Sequence, residues 1–382
     1  MSRGKTGFST CCLIWFGAAV SIAEIEAGCA IGGNWLALLA GHALGGVMLW
    51  AAGMLGASTG KNAMETTVGT FGVGGMRFFA ALNVVQLVGW TAVMIAQGGT
   101  AVSELTGLPH GLMCAGLAVL IGIWIFIALG DRLHLATLAV GALALLSLAL
   151  SWKLLGVGTR TEVVSAGFWP AFEISVAMPL SWLPLISDYT STASRPRAAT
   201  AASAVVYTVA SLWMYALGVL LSRIGATSVA NGIVKSGLGA IGLVVIVFST
   251  VTTTFLDAYS SGESVRSVFP GAPTRLIGVG VCAVGAVLAV AGVTDHYIGF
   301  LYLISSVFAP MATVLLADRY LIRRGGVRWN LLAWLVGFVV YRLSDASPVG
   351  PTLTAVGASA VAALVQLAWT GRSGLRKIEE IR

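Results

Sequence analysis

The stretch from Ile14 to Gly33, IWFGAAVSIAEIEAGCAIGG, is apolar enough to cross a bilayer, yet Glu24 and Glu26 sit in its middle. A charged side chain at mid-membrane costs about 2.5–3.5 kcal/mol on insertion scales, so acids there mark a site or a pairing partner. Gly17, Ser21, Glu24 and Gly28 recur at helical spacing and share one face. Small residues on that face allow a neighbouring helix to approach, and the polar ones turn away from lipid. Glu26 lies about 200° around an ideal helix from Glu24, so both can line one cavity only if the helix breaks. The reading therefore places a break near Ser21 to Glu24. A broken helix at mid-membrane frees backbone groups that can bind an ion or a solute.

The rest of the chain agrees with a membrane setting. Its 382 residues are 57% hydrophobic and 10% charged, with mean hydropathy +0.91. A soluble surface is roughly a quarter to a third charged, which excludes a soluble globular domain. Twelve spans are predicted, at roughly 11–31, 35–56, 77–104, 111–130, 133–155, 168–188, 200–222, 239–260, 274–293, 297–321, 329–344 and 350–370. They form a single transmembrane domain. The first run is too long and too acidic for a cleaved signal peptide, and it leads directly into further spans. With the N-terminus in the cytoplasm, only Lys153, Arg160, Arg223, Lys235 and Arg342 of the 22 Lys and Arg fall outside. That bias predicts that both termini are cytoplasmic, and the localisation expected is the inner membrane, multi-pass. It also accounts for the net charge of +7 without a nucleic-acid partner.

Three other spans carry polar faces. In the third, Asn83, Gln86, Trp90, Met94 and Gln97 lie on one side. Amides around a mid-membrane indole suit a flat polar ring, which stacks while the amides donate and accept. The sixth, FWPAFEISVAMPLSWLPLISDYT, holds Pro179 and Pro184, which remove backbone donors and predict a second break. Glu173 and Ser175 of that span are candidate solute contacts. Breaks in the first and sixth spans predict a five-plus-five inverted repeat, 1–155 and 168–321, with two peripheral helices over 329–370. The eighth span places Ser249, Thr250, Thr252, Thr253 and Thr254 just before Asp257. Such hydroxyls, with carbonyls of an unwound helix, are hard ligands for a small cation; they can equally bond back to their own helix.

Other features read as bland. The four histidines, His42, His110, His134 and His296, show no ligand spacing. The five cysteines lie in apolar runs and read as small buried hydrophobes. RYLIRRGGVR reads as a basic loop that sets topology. No phosphate-binding loop, dinucleotide fingerprint or nucleophile elbow appears, so the chain does not read as an enzyme or an ATP-driven pump. No cofactor and no obligate protein partner is expected.

The segments IWFGAAVSIAEI, GASTGKNAMETTVGTFG, NVVQLVGWTAVMI, SWLPLISDYTS and STVTTTFLDAYSSG together resemble the nucleobase–cation symporter-1 family, over nearly the whole chain. The nearest likeness is its CytX branch of hydroxymethylpyrimidine transporters. The resemblance implies a LeuT-like all-α fold, and uptake of a pyrimidine coupled to a cation, hydroxymethylpyrimidine for thiamine synthesis being the first expectation. A cytosine or other nucleobase permease is the alternative within transport. A non-transporting receptor, or an intramembrane enzyme using Glu24 and Asp257 as acid and base, is the alternative outside it.

Carried over by position, the resemblance implies that Trp90 stacks on the substrate. Met94 stands where many members have glutamine. Thr252 and Thr253 match the family's sodium-site hydroxyls, with Ser249 and Thr250 as the other register, and backbone oxygens from Ala18 to Ser21 would complete the site. The asparagines that follow in the family are absent, and Asp257 is placed to take their role. Ser191 stands where an arginine usually follows. The substrate contacts expected are Ser21, Glu24, Gln86, Trp90, Met94, Glu173, Ser175 and Asp257. Coupling to Na+ is expected, with H+ as the alternative because Glu24 and Asp257 are acids.

Overall fold

The computed structural model describes residues 6–128, 133–156, 166–226, 228–235, 237, 239–292, 297–323, 325–344 and 347–379. His296 and several of the basic residues behind the topology reading, Arg3, Lys5, Arg132, Arg160, Arg324 and Arg382, lie outside them, as does the side chain of His134.

In chain order the helices are α1 (Phe8–Ala19), α2 (Ile22–Ile31), α3 (Trp35–Thr59), α4 (Ala63–Thr66), α5 (Val68–Thr106), α6 (His110–Ala128), α7 (Leu133–Leu155) and α8 (Phe168–Ser181). They continue with α9 (Ile186–Thr190), α10 (Pro196–Arg223), α11 (Val229–Lys235), α12 (Gly239–Val268), α13 (Thr274–Val290), α14 (Tyr297–Leu316), α15 (Val327–Leu343) and α16 (Pro351–Glu379). A π-helical turn, Ala317–Ile322, extends α14. Each of the twelve predicted spans falls on one of these helices or on a broken pair. Among the described residues, by length and composition alone, four single helices (α3, α5, α10 and α12) could cross a membrane, and the bent pair α1 and α2 makes a fifth. Large apolar side chains such as Leu36, Val47, Val85 and Leu145 are exposed on the outer surface. The buried set includes Glu24, His42, Asn83 and Asp257. Apolar outside and polar inside is the arrangement that lipid selects.

Both predicted breaks are present. The first lies at Val20 and Ser21: Val20 has φ −82° and ψ 86°, and Ser21 is extended at φ −140° and ψ 158°. The two half-helices meet at a bend of 52°. Ser21 accepts from the Glu24 N–H at 3.3 Å and so caps α2. The sixth span breaks at 182–185, between α8 and α9, with Pro179 in the last turn of α8 and Pro184 inside the break. Three elements exceed what periodicity predicts. α4 is capped reciprocally by Asn62 and Glu65, α11 fills a connection, and α5 starts early and turns at Gly72, whose φ of 71° suits glycine.

Packing around the first break depends on two glycines. α2 crosses α10 at Gly28 and Gly218. A Cβ on Gly28 would lie 2.6 Å from Tyr215 Cα, and one on Gly218 would lie 2.7 Å from Cys29 N. The two backbones are therefore in contact, and α10 delivers its side chains directly onto α2. On the other side, Trp15 is fully buried and meets Trp182, Tyr189 and Tyr207 edge to face, at ring separations of 5.7, 5.9 and 5.9 Å. This cluster fixes α1 to the sixth-span break and to α10. The chain ahead of α1 is tied down as well: Thr6 N–H donates to Thr192 O at 2.9 Å, and Ser194 N–H donates to Thr6 O at 2.8 Å.

Gly28→Leu should lower stability in detergent by about 1–3 kcal/mol or more, because the atoms it meets are backbone and cannot swing aside. Gly116→Leu, with nothing within 4 Å of its Cβ position, should leave thermal unfolding unchanged. Equal melting of both variants would contradict the crossing.

Candidate functional site

Breaking α1 from α2 leaves carbonyls without intrahelical donors. Ser21 N–H bonds to Ala19 O rather than to Gly17 O. Gly17 O instead accepts from Thr253 Oγ1 at 3.0 Å, across the interface with α12. Thr252 lies beside the same spot, since a Cβ on Gly17 would be 3.8 Å from its Oγ1. Its hydroxyl donates to Phe248 O and Ser249 O of its own helix. The structure thus brings Gly17 O, Thr252 and Thr253 together as the hard-oxygen set. Ser249 bonds back to Ile246 O, and Thr250 packs against Gly98 of α5, away from the break. Helical rotation separates that alternative register from α1. The Ser21 carbonyl accepts from the Ile25 N–H at 3.3 Å and the Ser21 hydroxyl caps α2, so of these residues it is Gly17 whose carbonyl is joined to α12. Among the described residues no three His, Cys, Asp or Glu side chains form a metal cluster.

A small cavity of about 30 Å³ lies against this break, lined by Ala18, Ser21, Glu24, Trp90, Met94 and Asp257 together with Thr253 and the sixth-span residues Met178, Ser181, Trp182 and Leu185. That volume is room for one or two waters and not for a pyrimidine. A second cavity of about 320 Å³ adjoins it and shares Ala23, Trp90, Met178 and Ser181. Its far walls are Tyr302, Phe308 and Tyr341, with Glu26 and Glu173 at its edge. Trp90 stands between the two cavities, its ring edge-on to Phe300 at 6.2 Å.

The two acids of the small cavity differ in their surroundings. Glu24 is 2% exposed, and both its oxygens are engaged: Tyr207 Oη donates to Oε1 at 2.7 Å, and Ser211 Oγ donates to Oε2 at 2.7 Å. Asp257 is 4% exposed, lines the cavity, and receives no hydrogen bond among the described residues. An acid without a partner in such a place awaits a donor or a cation. Glu24 is therefore anchored to α10, and Asp257 is the carboxylate open to a ligand.

Several expected contacts fall elsewhere. Ser175 faces α3, where Gly41 lets it close in, and donates to Leu38 O at 2.7 Å; its register on α8 turns it away from the cavity. Gln86 is buried against Asn83, donating to its Oδ1 at 2.6 Å, one turn below the cavity wall. Glu173 accepts the Thr352 N–H at 2.9 Å and so caps α16 at the edge of the larger cavity. Glu26 points the other way from Glu24 and accepts from Gln97 Nε2 at 2.7 Å. The residues that sequence reasoning missed are Trp182, Tyr207, Ser211 and His42. Tyr207 and Ser211 stand four apart in VVYTVASLW, a polar face in a span without a break.

No family model matches the chain. Cytosine permease of Escherichia coli (strain K12) is 25% identical over 297 residues, which are 76% of this chain and 70% of that protein. The chain is a relative of this permease. Among solved structures, Mhp1 in an inward-facing conformation superposes with a TM-score of 0.74 at 18% identity, covering 97% of this chain and 92% of Mhp1. Mhp1, described as a nucleobase-cation-symport-1 family transporter, in a closed conformation with bromovinylhydantoin bound, gives 0.74 at 17% identity, over 97% and 94%. The manganese transporter of Eremococcus coleocola gives 0.54 at 12% identity, over 95% and 93%. The fold is the LeuT-like membrane fold that the two breaks imply. The relatives are transporters, not enzymes, and they support the nucleobase–cation symporter-1 resemblance.

Tyr207→Phe removes one of the two donors to Glu24 and should destabilise the folded protein by about 1–3 kcal/mol, the cost of leaving a buried acceptor unmet. Thermal unfolding in detergent checks this; an unchanged midpoint would mean that water replaces the phenol.

Proposed function

We propose that the chain imports an aminopyrimidine across the inner membrane, coupled to a cation. The observation that carries this reading is Asp257, an acid buried without a hydrogen bond among the described residues at a cavity walled by Trp90. An aminopyrimidine offers each a matching group. Its ring stacks on the indole, and its exocyclic amine donates to the carboxylate. Hydroxymethylpyrimidine, the substrate of the branch that the sequence resembles, carries such an amine. So does cytosine, which the relative's name favours. The first is our leading assignment, and the second is the alternative.

The small cavity in this conformation is too tight for either ring, so entry requires α8 or α14 to move and join it to the larger one. With both termini in the cytoplasm, the larger cavity, on the α2 and α8 side, opens outward. The cation belongs between the break and α12. There Gly17 O, Thr253 Oγ1 and the neighbouring carbonyls are neutral oxygens of the kind Na+ prefers. Binding it replaces the Thr253 to Gly17 hydrogen bond. Because ion and ring share the first-span break, each tightens the other by the same factor.

Uptake into proteoliposomes, with sodium and pH gradients imposed separately, tests the reading. Labelled pyrimidine should accumulate unchanged with the sodium gradient alone. Trp90→Ala should weaken binding by about 1–3 kcal/mol, the scale of base–aromatic stacking. Asp257→Asn should weaken it by about 1.5–3 kcal/mol, the scale of a hydrogen bond to a charged group. Thr253→Ala should raise the sodium needed for half-maximal binding while changing affinity little at saturating sodium. Full uptake without sodium, driven by a pH gradient, would overturn the sodium assignment in favour of protons.

A further inference from the structure

The single ionisable residue of α3, His42, is 0% exposed, and both its ring nitrogens are in hydrogen-bond contact. His42 Nε2 is 2.7 Å from Ser211 Oγ, and Ser211 Oγ is 2.7 Å from Glu24 Oε2. On the other side Nδ1 is 2.8 Å from Ser175 Oγ and 3.2 Å from Leu38 O. Each serine has one hydroxyl proton. Ser175 donates its proton to Leu38 O, so Nδ1 must carry a proton to fill its own contacts. Ser211 lies between two acceptors and can donate to one of them. If it donates to Glu24, Nε2 must also be protonated, which makes an imidazolium facing a carboxylate. If it donates to Nε2, Glu24 must hold the proton. With neither protonated, one hydrogen is missing: between Ser211 and one of its two neighbours, or, in the Nε2–H tautomer with the Ser175 hydroxyl turned to Nδ1, between Ser175 and Leu38 O. Filling every contact requires one proton beyond those of carboxylate and neutral imidazole.

We propose that His42 is a proton-binding site paired with Glu24, one proton being held between them and passed through the Ser211 hydroxyl. In transfer, the Glu24 O–H breaks as its proton goes to Ser211, and the Ser211 proton goes to Nε2. Two protons each move along one hydrogen bond, and the total charge of the pair stays the same. The consequence rests on the transport reading. A cation at Gly17 and Thr253, or an amine at Asp257, adds positive charge near Glu24 and draws the proton to His42. The carboxylate is thereby exposed to the cavity only when a positive partner is there.

On the Glu24 side, Asp257 of α12 is the one acid that shares a cavity with Glu24 among the described residues, and its charge weighs on the pair. Glu26 of α2 accepts from Gln97 of α5, Glu104 of α5 from Ser228, and Lys235 of α11 donates to Gly225 O. α3 packs against α8, α9 and α10, with lesser contacts to α4 and α14. From α10, Tyr207 donates to Glu24, and Tyr215 meets the imidazole edge-on at 4.8 Å while its hydroxyl donates to Ile174 O. Glu173 of α8 is held at Thr352, Asp188 of α9 accepts from Ala63 N–H, and Glu65 of α4 is held in its capping box with Asn62. Tyr302 of α14 lines the larger cavity. No lysine or arginine contacts His42 or Glu24 among the described residues.

The test is spectroscopic and uses the full chain in lipid nanodiscs. Infrared difference spectra against Glu24→Gln report a protonated Glu24 carboxyl, and ¹⁵N-histidine spectra, assigned with His42→Gln, report the imidazolium. At neutral pH without ligand, the two signals should together account for one proton. Adding sodium and cytosine should reduce the carboxyl signal and raise the imidazolium by the same fraction. Ser211→Thr should preserve that exchange, and Ser211→Ala should abolish it. Finding neither signal, or both in full, would overturn the proposal, and the unliganded spectra decide this even if no pyrimidine is transported. Should His42→Gln fail to fold, replacing His110, His134 and His296 leaves His42 as the one histidine signal, and a wholly neutral His42 with an ionised Glu24 would overturn it. A ligand-driven shift that survives in Ser211→Ala would overturn the role of the hydroxyl.

Discussion

The structure depends on a helix that stops in the middle of the membrane. Two residues, Val20 and Ser21, leave helical geometry at a depth where lipid offers backbone groups no partner. Everything around them answers that constraint. Ser21 caps the second half-helix, Thr253 reaches across to Gly17 O, and the aromatic cluster on Trp15 seals the first half-helix against α10 and the sixth-span break. A break of this kind is stable only inside a protein wall, and the wall is built by the Gly28 and Gly218 crossing. The same contact that closes the wall delivers Tyr207 and Ser211 to Glu24.

Burial then divides two similar acids into different roles. Glu24 has two hydroxyl donors and, through Ser211, a histidine behind them, so its charge is managed from within the protein. Asp257 faces the cavity and, among the described residues, receives no hydrogen bond. A membrane interior makes an isolated carboxylate expensive, and the two solutions differ in where the compensation comes from. In one case it is the fold, and in the other a ligand. This division favours a donor-bearing ring at Asp257 over one bound at Glu24.

The sequence made the architecture legible because its strongest signals are one-dimensional. Apolar runs, the prolines Pro179 and Pro184, and two glutamates set 200° apart required the spans and both breaks. Trp90 and Asp257 were legible as polar or aromatic residues at mid-span. The partners of those residues were not. Ser175 and Gln86 lie on polar faces by spacing, but which face meets which helix is set by close crossings such as Gly41 against Ser175. His42 looked inert for the same reason. A lone histidine in an apolar run reveals nothing until Ser211 of α10 and Ser175 of α8 are folded onto its two nitrogens. That Gly17 O faces Thr253 while Ser21 O is taken by the Ile25 N–H likewise follows from the residue at which the helix breaks.

The central claim is that the transported ring lies between Trp90 and Asp257 at the broken first span. An electron-cryomicroscopy or crystal structure of the chain with sodium and cytosine or hydroxymethylpyrimidine tests it most directly. The account predicts ring density stacked on the Trp90 indole, with the exocyclic amine within hydrogen-bonding distance of the Asp257 carboxylate and Glu24 still held by Tyr207 and Ser211. A ring bound against Tyr302 and Tyr341 in the larger cavity, with Asp257 out of reach, would contradict it.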